Sequence, residues 1–181
     1  MSNIPPLATL GRRILICGPS NAGKSTLAIA LAQELEVPAV HLDLLHHLPN
    51  TDWQPRPRHD FHALHAQAVA EDGWVIEGNY FALLQERLDR ATGVILLGTR
   101  RVPALFRYLR RTVGGGPRAG HLEGAVDRLN ANMLRFILIE QPRKRDRDRA
   151  LLRAAGLPMV ETAGMTDLRK LYTVWSLPPP A

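Results

Sequence analysis

The feature that most constrains the fold of this 181-residue chain is a run in which two glycines enclose four residues and are followed by a lysine and two hydroxyl residues. The run occupies residues 18–26 and reads Gly-Pro-Ser-Asn-Ala-Gly-Lys-Ser-Thr. Residues 13–17 before it are mostly apolar and favour a strand, whereas residues 27–32 after it are strong helix formers. A strand, a glycine-rich loop and a helix in this order are the context that the P-loop motif requires, so the pattern predicts an α/β fold with a phosphate-binding loop.

The residue types in this loop suit a nucleoside triphosphate. Glycines allow successive backbone N–H groups to converge on phosphate oxygens at the positive end of the following helix. A lysine at position 24 supplies a mobile cation for the β and γ phosphates, and a serine at position 25 supplies a hydroxyl ligand for Mg²⁺. We therefore assign nucleotide binding to Gly18, Pro19, Ser20, Asn21, Ala22, Gly23, Lys24, Ser25 and Thr26, and a catalytic role to Lys24.

Length and composition indicate one domain, residues 1–181. A hydrophobic content of 45% over this length is enough to bury a core without metals or disulfides. The single cysteine, Cys17, lies in the first predicted strand and is interpreted as a small buried apolar residue. The sequence has neither an apolar run of membrane-spanning length nor a signal segment. We expect a cytoplasmic protein that does not associate with membranes.

The net charge of +6 comes from 20 arginines and only 3 lysines among the basic residues. Two explanations stay open: a guanidinium-lined site for anions, because arginine binds phosphate in a bidentate manner, or a coding bias towards arginine. Nucleic-acid binding is a third interpretation. It is less favoured because the basic residues are spread along the chain and few aromatic residues alternate with them.

Strands and helices are predicted to alternate along the chain. This alternation favours a parallel sheet covered on both faces. The predicted strands are residues 13–18, 39–43, 74–78, 93–99 and 157–162, and the predicted helices are residues 24–35, 58–71, 80–91, 103–113, 123–141, 145–155 and 166–175. Residues 44–57 and the glycine-rich residues 114–120 depart from this layout, as either mobile loops of a site or ordinary surface loops.

Two carboxylates lie at the ends of predicted strands, Asp43 at the end of the second and Glu77 at the end of the third. In a parallel sheet both emerge at the edge where the P-loop lies. Glu77 is thus placed to hold Mg²⁺ directly or through water, and Asp43 to orient or deprotonate an acceptor hydroxyl. The alternative for each is a helix-capping or loop carboxylate.

Arginines recur at helical spacing in two places. Arg107 and Arg111 share one predicted helix face, as do Arg145, Arg149 and Arg153 on a later helix. Guanidinium groups on a closing flap would stabilise a transferring phosphoryl group, so Arg107, Arg111, Arg145 and Arg149 are catalytic candidates. The alternative is that these rows are solvated helix faces.

The histidines do not have zinc-site spacing. His46 and His47 are adjacent and are expected to point apart on a helix, and the histidines of residues 59–65 drift around a helical face. No cysteine or carboxylate completes a ligand set at zinc spacing in the sequence, so we do not predict a zinc site.

Over nearly its whole length the chain resembles the adenylate-kinase-like P-loop kinases, in particular the branch labelled DNA topology modulation proteins. The resemblance is carried by residues 18–26, Leu42 and Asp43 followed by Trp53, residues 74–80, Arg107, Arg110 and Arg111, and residues 134–136 before residues 142–145. It implies a P-loop NTPase three-layer fold with strand order 2-3-1-4-5 and helices on both faces. It also implies an acceptor-binding insert at about residues 44–72, an arginine-bearing lid at about residues 114–145, and ATP as donor.

One departure from that family concerns the acceptor. Nucleoside monophosphate kinases have a Gly-aromatic-Pro-Arg run where this chain has Gly78, Asn79, Tyr80 and Phe81. The arginine that clamps the monophosphate in those kinases has no counterpart here, so adenylate is not the expected acceptor. We expect an ATP- and Mg²⁺-dependent kinase whose partner is a small-molecule phosphoryl acceptor. The alternative is a nucleotide-dependent regulatory or DNA-associated protein with little turnover. The sequence does not specify an oligomeric state.

Overall fold

A central sheet carries the site-forming loops at one edge. The computed structural model of the chain describes residues 4–51, 53–98 and 141–178, with the backbone alone for residues 141–145. Its five strands are β1 Arg13–Cys17, β2 Ala39–His41, β3 Trp74–Glu77, β4 Gly93–Leu96 and β5 Met159–Glu161. Neighbouring strands run parallel in the order β2-β3-β1-β4-β5. The predicted sheet and its strand order are therefore confirmed.

Helices fill the crossovers between these strands. In the described residues they are α1 Lys24–Leu35, α2 Leu42–His46, α3 Arg58–Ala70, α4 Leu84–Leu88, α5 Gln141–Ala154 and α6 Met165–Val174, with 3₁₀ turns at Leu7–Leu10 and Phe81–Leu83. The predicted helix 80–91 is thus a 3₁₀ turn followed by a short helix, and α5 already includes residues 141–144, ahead of the predicted start at residue 145. The predicted helix 103–113, the glycine-rich residues 114–120 and nearly all of the helix 123–141 lie outside the described residues.

The segment after β2 differs from the loop predicted for residues 44–57. It begins with α2, because Leu42 is fully buried and the run of leucines around Asp43 favours a helix. Beyond the helix the chain turns back on itself through an antiparallel bridge between His47 and Pro55. The backbone N–H of Leu48 also donates to the Gln54 carbonyl at 2.9 Å. Part of this segment is therefore regular structure.

Both faces of the sheet are buried. Along β1, Ile14 and Ile16 belong to a core with α1 and α6, while Leu15 and Cys17 belong to a second core with Leu152 of α5. Successive side chains of a strand point to opposite faces, so this division makes a three-layer structure. Among the described residues, no helix has the length and apolar character needed to cross a membrane.

Candidate functional site

The loop between β1 and α1 has the backbone of an anion cradle. Gly18 has φ +145° and Gly23 has φ +89°, conformations that favour glycine. A Cβ on Gly18 would lie 2.5 Å from the Leu97 carbonyl oxygen, which is backbone and cannot yield. Asn21 of the loop also has positive φ, and its neighbour Ala22 is buried. Helix α1 then starts at Lys24, so its N-terminal N–H groups face the loop's concave side.

Lys24 folds back over this loop. Its Nζ donates to the carbonyl oxygen of Pro19 at 3.2 Å. The ammonium is also near enough to Glu77 to favour ionisation of that carboxyl group. The ammonium group of Lys24, which was predicted to contact the phosphates, therefore lies beside the backbone of the loop.

Ser25 and Glu77 come together although they are 52 positions apart in sequence. Ser25 Oγ donates to Glu77 Oε1 at 2.8 Å, and His41 Nδ1 lies 3.0 Å from the same oxygen. Glu77 is 3% exposed. Burial by itself raises the pKa of Glu77, but the contact with His41, the charge of Lys24 and the hydrogen bond from Ser25 hold the pKa below its usual value. A hydroxyl beside an ionised carboxylate is an all-oxygen donor set, which is the kind that Mg²⁺ prefers.

The three residues after β3 join the two sides of the site. Asn79 Oδ1 accepts a hydrogen bond from the backbone N–H of Gly18 at 3.1 Å, and Asn79 Nδ2 donates to the Gly18 carbonyl at 3.0 Å. The Tyr80 hydroxyl donates to Asp43 Oδ1 at 2.7 Å. Together with Gly78, these residues form a segment that we call the bridge segment, residues 78–80.

Arg87 of α4 anchors the bridge segment from below. Its guanidinium donates to the carbonyl oxygens of Gly78, Asn79 and Tyr80 at 3.0, 3.1 and 2.8 Å. The side chain is fully buried, and burial lowers the pKa of its guanidinium from the usual value. Sequence reasoning missed this residue, because an arginine within a predicted helix is read as part of a solvated face.

Asp43 lies beside a group of aromatic rings. It is in the first turn of α2 and exposed. The His46 ring lies 5.0 Å from both the Tyr80 and the Phe61 rings, centroid to centroid, and the Phe61 and Tyr80 rings are 5.3 Å apart. This group forms a wall of the predicted acceptor region.

His46 and His47 are not directed apart, so that prediction was wrong. Their nitrogens Nδ1 and Nε2 lie 3.2 Å from each other. The reason is that His47 follows the last helical residue in an extended conformation, which turns its ring back towards α2. Burial, together with the nearby His47, lowers the pKa of His46.

The arginine candidates divide by position. Arg149 and Arg153 of α5 both contact the carboxylate of Glu161 at the end of β5, and the Arg153 Nε to Glu161 Oε1 distance is 2.7 Å. Arg107, Arg111 and the side chain of Arg145 lie outside the described residues. The predicted lid at about residues 114–145 falls there as well, apart from the backbone of residues 141–145.

The chain matches no protein-family model and no curated protein. Among solved structures it is similar to a gluconokinase from Sinorhizobium meliloti 1021, with 19% sequence identity and a TM-score of 0.51. The likeness covers 92% of this chain and 93% of the neighbour. The fold is that of the P-loop kinases. At this identity the likeness shows the fold alone, because one fold hosts many activities.

Proposed function

We propose that the chain is an ATP- and Mg²⁺-dependent phosphotransferase that acts on a small molecule. The observation that carries the proposal is the hydrogen bond from Ser25 Oγ to Glu77 Oε1, at 2.8 Å. It lies next to the loop whose Pro19 carbonyl accepts a hydrogen bond from Lys24. Ser25 and Glu77 would hold Mg²⁺, which offsets the charge of the β and γ phosphates. Lys24 would exchange its contact with the Pro19 carbonyl for phosphate oxygens.

The acceptor would bind on the α2 side of the bridge segment. Asp43 is exposed there and accepts a hydrogen bond from Tyr80, so its carboxylate is held in place without being buried. Such a group can orient an acceptor hydroxyl and accept its proton. The insert at about residues 44–72 supplies His46 and Phe61 of the aromatic wall, and the bridge segment supplies Tyr80.

The finer placement of the chain rests on sequence. Residues 74–80 support a place in the branch of P-loop kinases labelled DNA topology modulation proteins. The structural neighbour is named a gluconokinase, so polyhydroxylated acids belong among the acceptors to be screened. Arg107, Arg111, Arg145 and Arg149 are proposed to stabilise the charge of the transferring phosphoryl group.

The test is an acceptor screen by coupled ADP release, with the wild-type protein and with Lys24→Ala. We expect acceptor-dependent, Mg²⁺-dependent ADP release by the wild type. We expect a loss of about 10²- to 10³-fold in Lys24→Ala, because a cation is removed from the phosphates while no core volume is lost. Thermal melting of the variant should stay near that of the wild type.

Lys170→Ala is the matched control, since Lys170 is an exposed lysine on α6. It should turn over ATP like the wild type. Turnover near wild type in a folded Lys24→Ala protein would contradict the assignment of the loop. Slow hydrolysis that no acceptor accelerates, together with salt-sensitive binding to duplex DNA, would favour a regulatory or DNA-associated role instead.

A further inference from the structure

The bridge segment continues the pairing of β1 and β3 beyond the end of both strands. The last backbone step of that ladder is the hydrogen bond from the Gly78 N–H to the Ile16 carbonyl, at 3.1 Å. Beyond this point the Asn79 side chain forms the hydrogen bonds that a neighbouring strand's backbone would otherwise form. It accepts from the Gly18 N–H and donates to the Gly18 carbonyl, and so satisfies both polar groups of one backbone residue.

Gly18 is the first residue of the phosphate-binding loop and has little freedom to move towards β4. At φ +145°, the space that a Cβ would occupy lies 2.5 Å from the Leu97 carbonyl oxygen. Asn79 contacts the backbone of Gly18 through two hydrogen bonds. The start of the loop is thereby held between the backbone of Leu97 and the side chain of Asn79, which fixes the point from which the later N–H groups of the loop extend.

Asn79 is itself held in place through its main chain. Arg87 is fully buried and donates to the carbonyls on both sides of Asn79 as well as to that of Asn79. Since hydrogen bonds to a charged donor are stronger than neutral ones, this contact fixes the backbone from which the Asn79 amide projects.

We propose that Asn79 is a positioning residue for the nucleotide: its amide holds the loop in the phosphate-binding conformation before a nucleotide arrives. The inference rests on the proposed function, because it requires that residues 18–26 bind a nucleotide. Preorganisation of this kind adds to affinity by reducing the ordering that binding would otherwise require.

The experiment compares Asn79→Ala with Tyr80→Phe in equilibrium binding of a fluorescent ATP analogue with Mg²⁺. Each variant removes side-chain hydrogen bonds from the bridge segment, but only the first removes those to the loop. By the usual size of two neutral hydrogen bonds, Asn79→Ala should weaken binding about tenfold. Tyr80→Phe keeps the ring beside Phe61 and removes a hydroxyl that does not contact the loop. This variant should therefore bind the analogue within about twofold of the wild type.

A third variant, Asn79→Asp, keeps the side-chain size and serves if Asn79→Ala does not fold. It retains the acceptor for the Gly18 N–H, loses the donor to the Gly18 carbonyl, and adds a negative charge near the phosphates. We expect it to bind more weakly than Asn79→Ala, with a loss that shrinks as salt is raised. This salt dependence would show that position 79 lies close to the bound phosphates, whereas the loss of binding in Asn79→Ala measures the positioning by the amide.

The outcomes separate this inference from the proposed function. If the wild type binds the analogue and Lys24→Ala does not, yet both Asn79 variants bind like the wild type, the inference is overturned and the proposed function stands. Equal losses in Asn79→Ala and Tyr80→Phe would indicate general loosening of the bridge segment and would also overturn it. A wild-type protein that does not bind the analogue would overturn both.

Discussion

Glu77 and Asp43 show how two carboxylates near the ends of neighbouring strands acquire different chemistry. Glu77 is 3% exposed and its Oε1 accepts from Ser25, next to the contact with His41. Asp43 is exposed and its partner is the Tyr80 hydroxyl. The buried group is thus held ionised at the side of the loop, whereas the exposed one faces the region where an acceptor would arrive.

Substitution should separate these two roles. Glu77→Gln keeps the shape but loses the charge, so we expect the Mg²⁺ concentration for half-maximal activity to rise about 10- to 100-fold. Asp43→Asn should lower kcat by about 10²- to 10⁴-fold with nucleotide affinity preserved, because a proton acceptor is lost. The measurements are a Mg²⁺ titration of activity and binding of a fluorescent ATP analogue.

Asp89→Asn is a control, since this exposed aspartate of the α4 C-terminus bonds only locally to Gln85 among the contacts described. It should resemble the wild type in both assays. If Asp43→Asn weakens nucleotide binding and spares transfer, then its proposed role is incorrect.

At the scale of elements, the alternation of apolar runs and helical stretches was enough to predict the strands of the sheet. The predicted strands extend one to three residues beyond the observed ends. The reason is that a strand ends where its hydrogen-bonded partner ends, and a single sequence does not show which strands pair. The segment after β2 was predicted as a loop since its histidines and prolines hide the short helix α2. The pattern of apolar and helix-forming residues therefore predicted the strands and main helices better than the segments that connect them.

The arginine rows remain a prediction at this scale. Helix α5 places Arg149 and Arg153 one turn apart on the same Glu161 carboxylate. If Arg149 stabilises developing phosphate charge, then Arg149→Ala should raise the barrier by about 2.7 to 4 kcal/mol. We expect an increase of the same size in the barrier when alanine replaces any of Arg107, Arg111 and Arg145 that contacts the phosphates. The measurement is kcat at saturating ATP with the identified acceptor.

Arg153→Ala is the matched control, because this arginine shares the Glu161 partner and was not assigned a catalytic role. It should change kcat less than about twofold, as expected for an exposed ion pair. Should all four candidates behave as mildly as Arg153, the rows are surface charge and the phosphate clamp lies elsewhere.

At the scale of the whole molecule, the polar groups inside the protein were the least predictable part. Arg87 bonds to backbone carbonyls and Asn79 to the P-loop, and neither contact follows a sequence pattern. The sequence places His65 among several histidines around a helical face, yet this residue of α3 is fully buried and faces Glu86 of α4. These contacts depend on how elements pack, so a pattern within one element cannot show them.

His65 gives the stability of the protein a pH dependence. Burial, then the nearby Arg87, lowers its pKa below the usual 6.5, while Glu86 at 3.2 Å opposes this and His62 adds to it. The unfolded chain therefore binds a proton on His65 at a higher pH than the folded chain does. Stability attributable to His65 is fully present above pH 6.5 and falls as the pH drops from there towards the folded pKa.

We expect the free energy of unfolding to fall less in His65→Gln than in the wild type when the pH is lowered from 7.5 to 5. The relation is about 1.36 kcal/mol for each pKa unit of difference between folded and unfolded states. Urea unfolding at both pH values measures it. His59→Gln, at an exposed histidine on the same helix that is not among the groups acting on His65, should keep the wild-type slope. A slope unchanged by His65→Gln would show that other groups cause the acid sensitivity.

The position of Cys17 has a practical consequence for labelling this protein. The only thiol in the chain is fully buried at the end of β1, and burial raises its pKa to about 11. At neutral pH it is neither ionised nor within reach of a maleimide or an iodoacetamide dye. A cysteine introduced on the surface, for instance in place of the exposed Val174, would therefore be the one thiol that reacts in the folded protein. Fluorescent or spin-labelled forms can be made while the strand leading into residues 18–26 keeps its native residue.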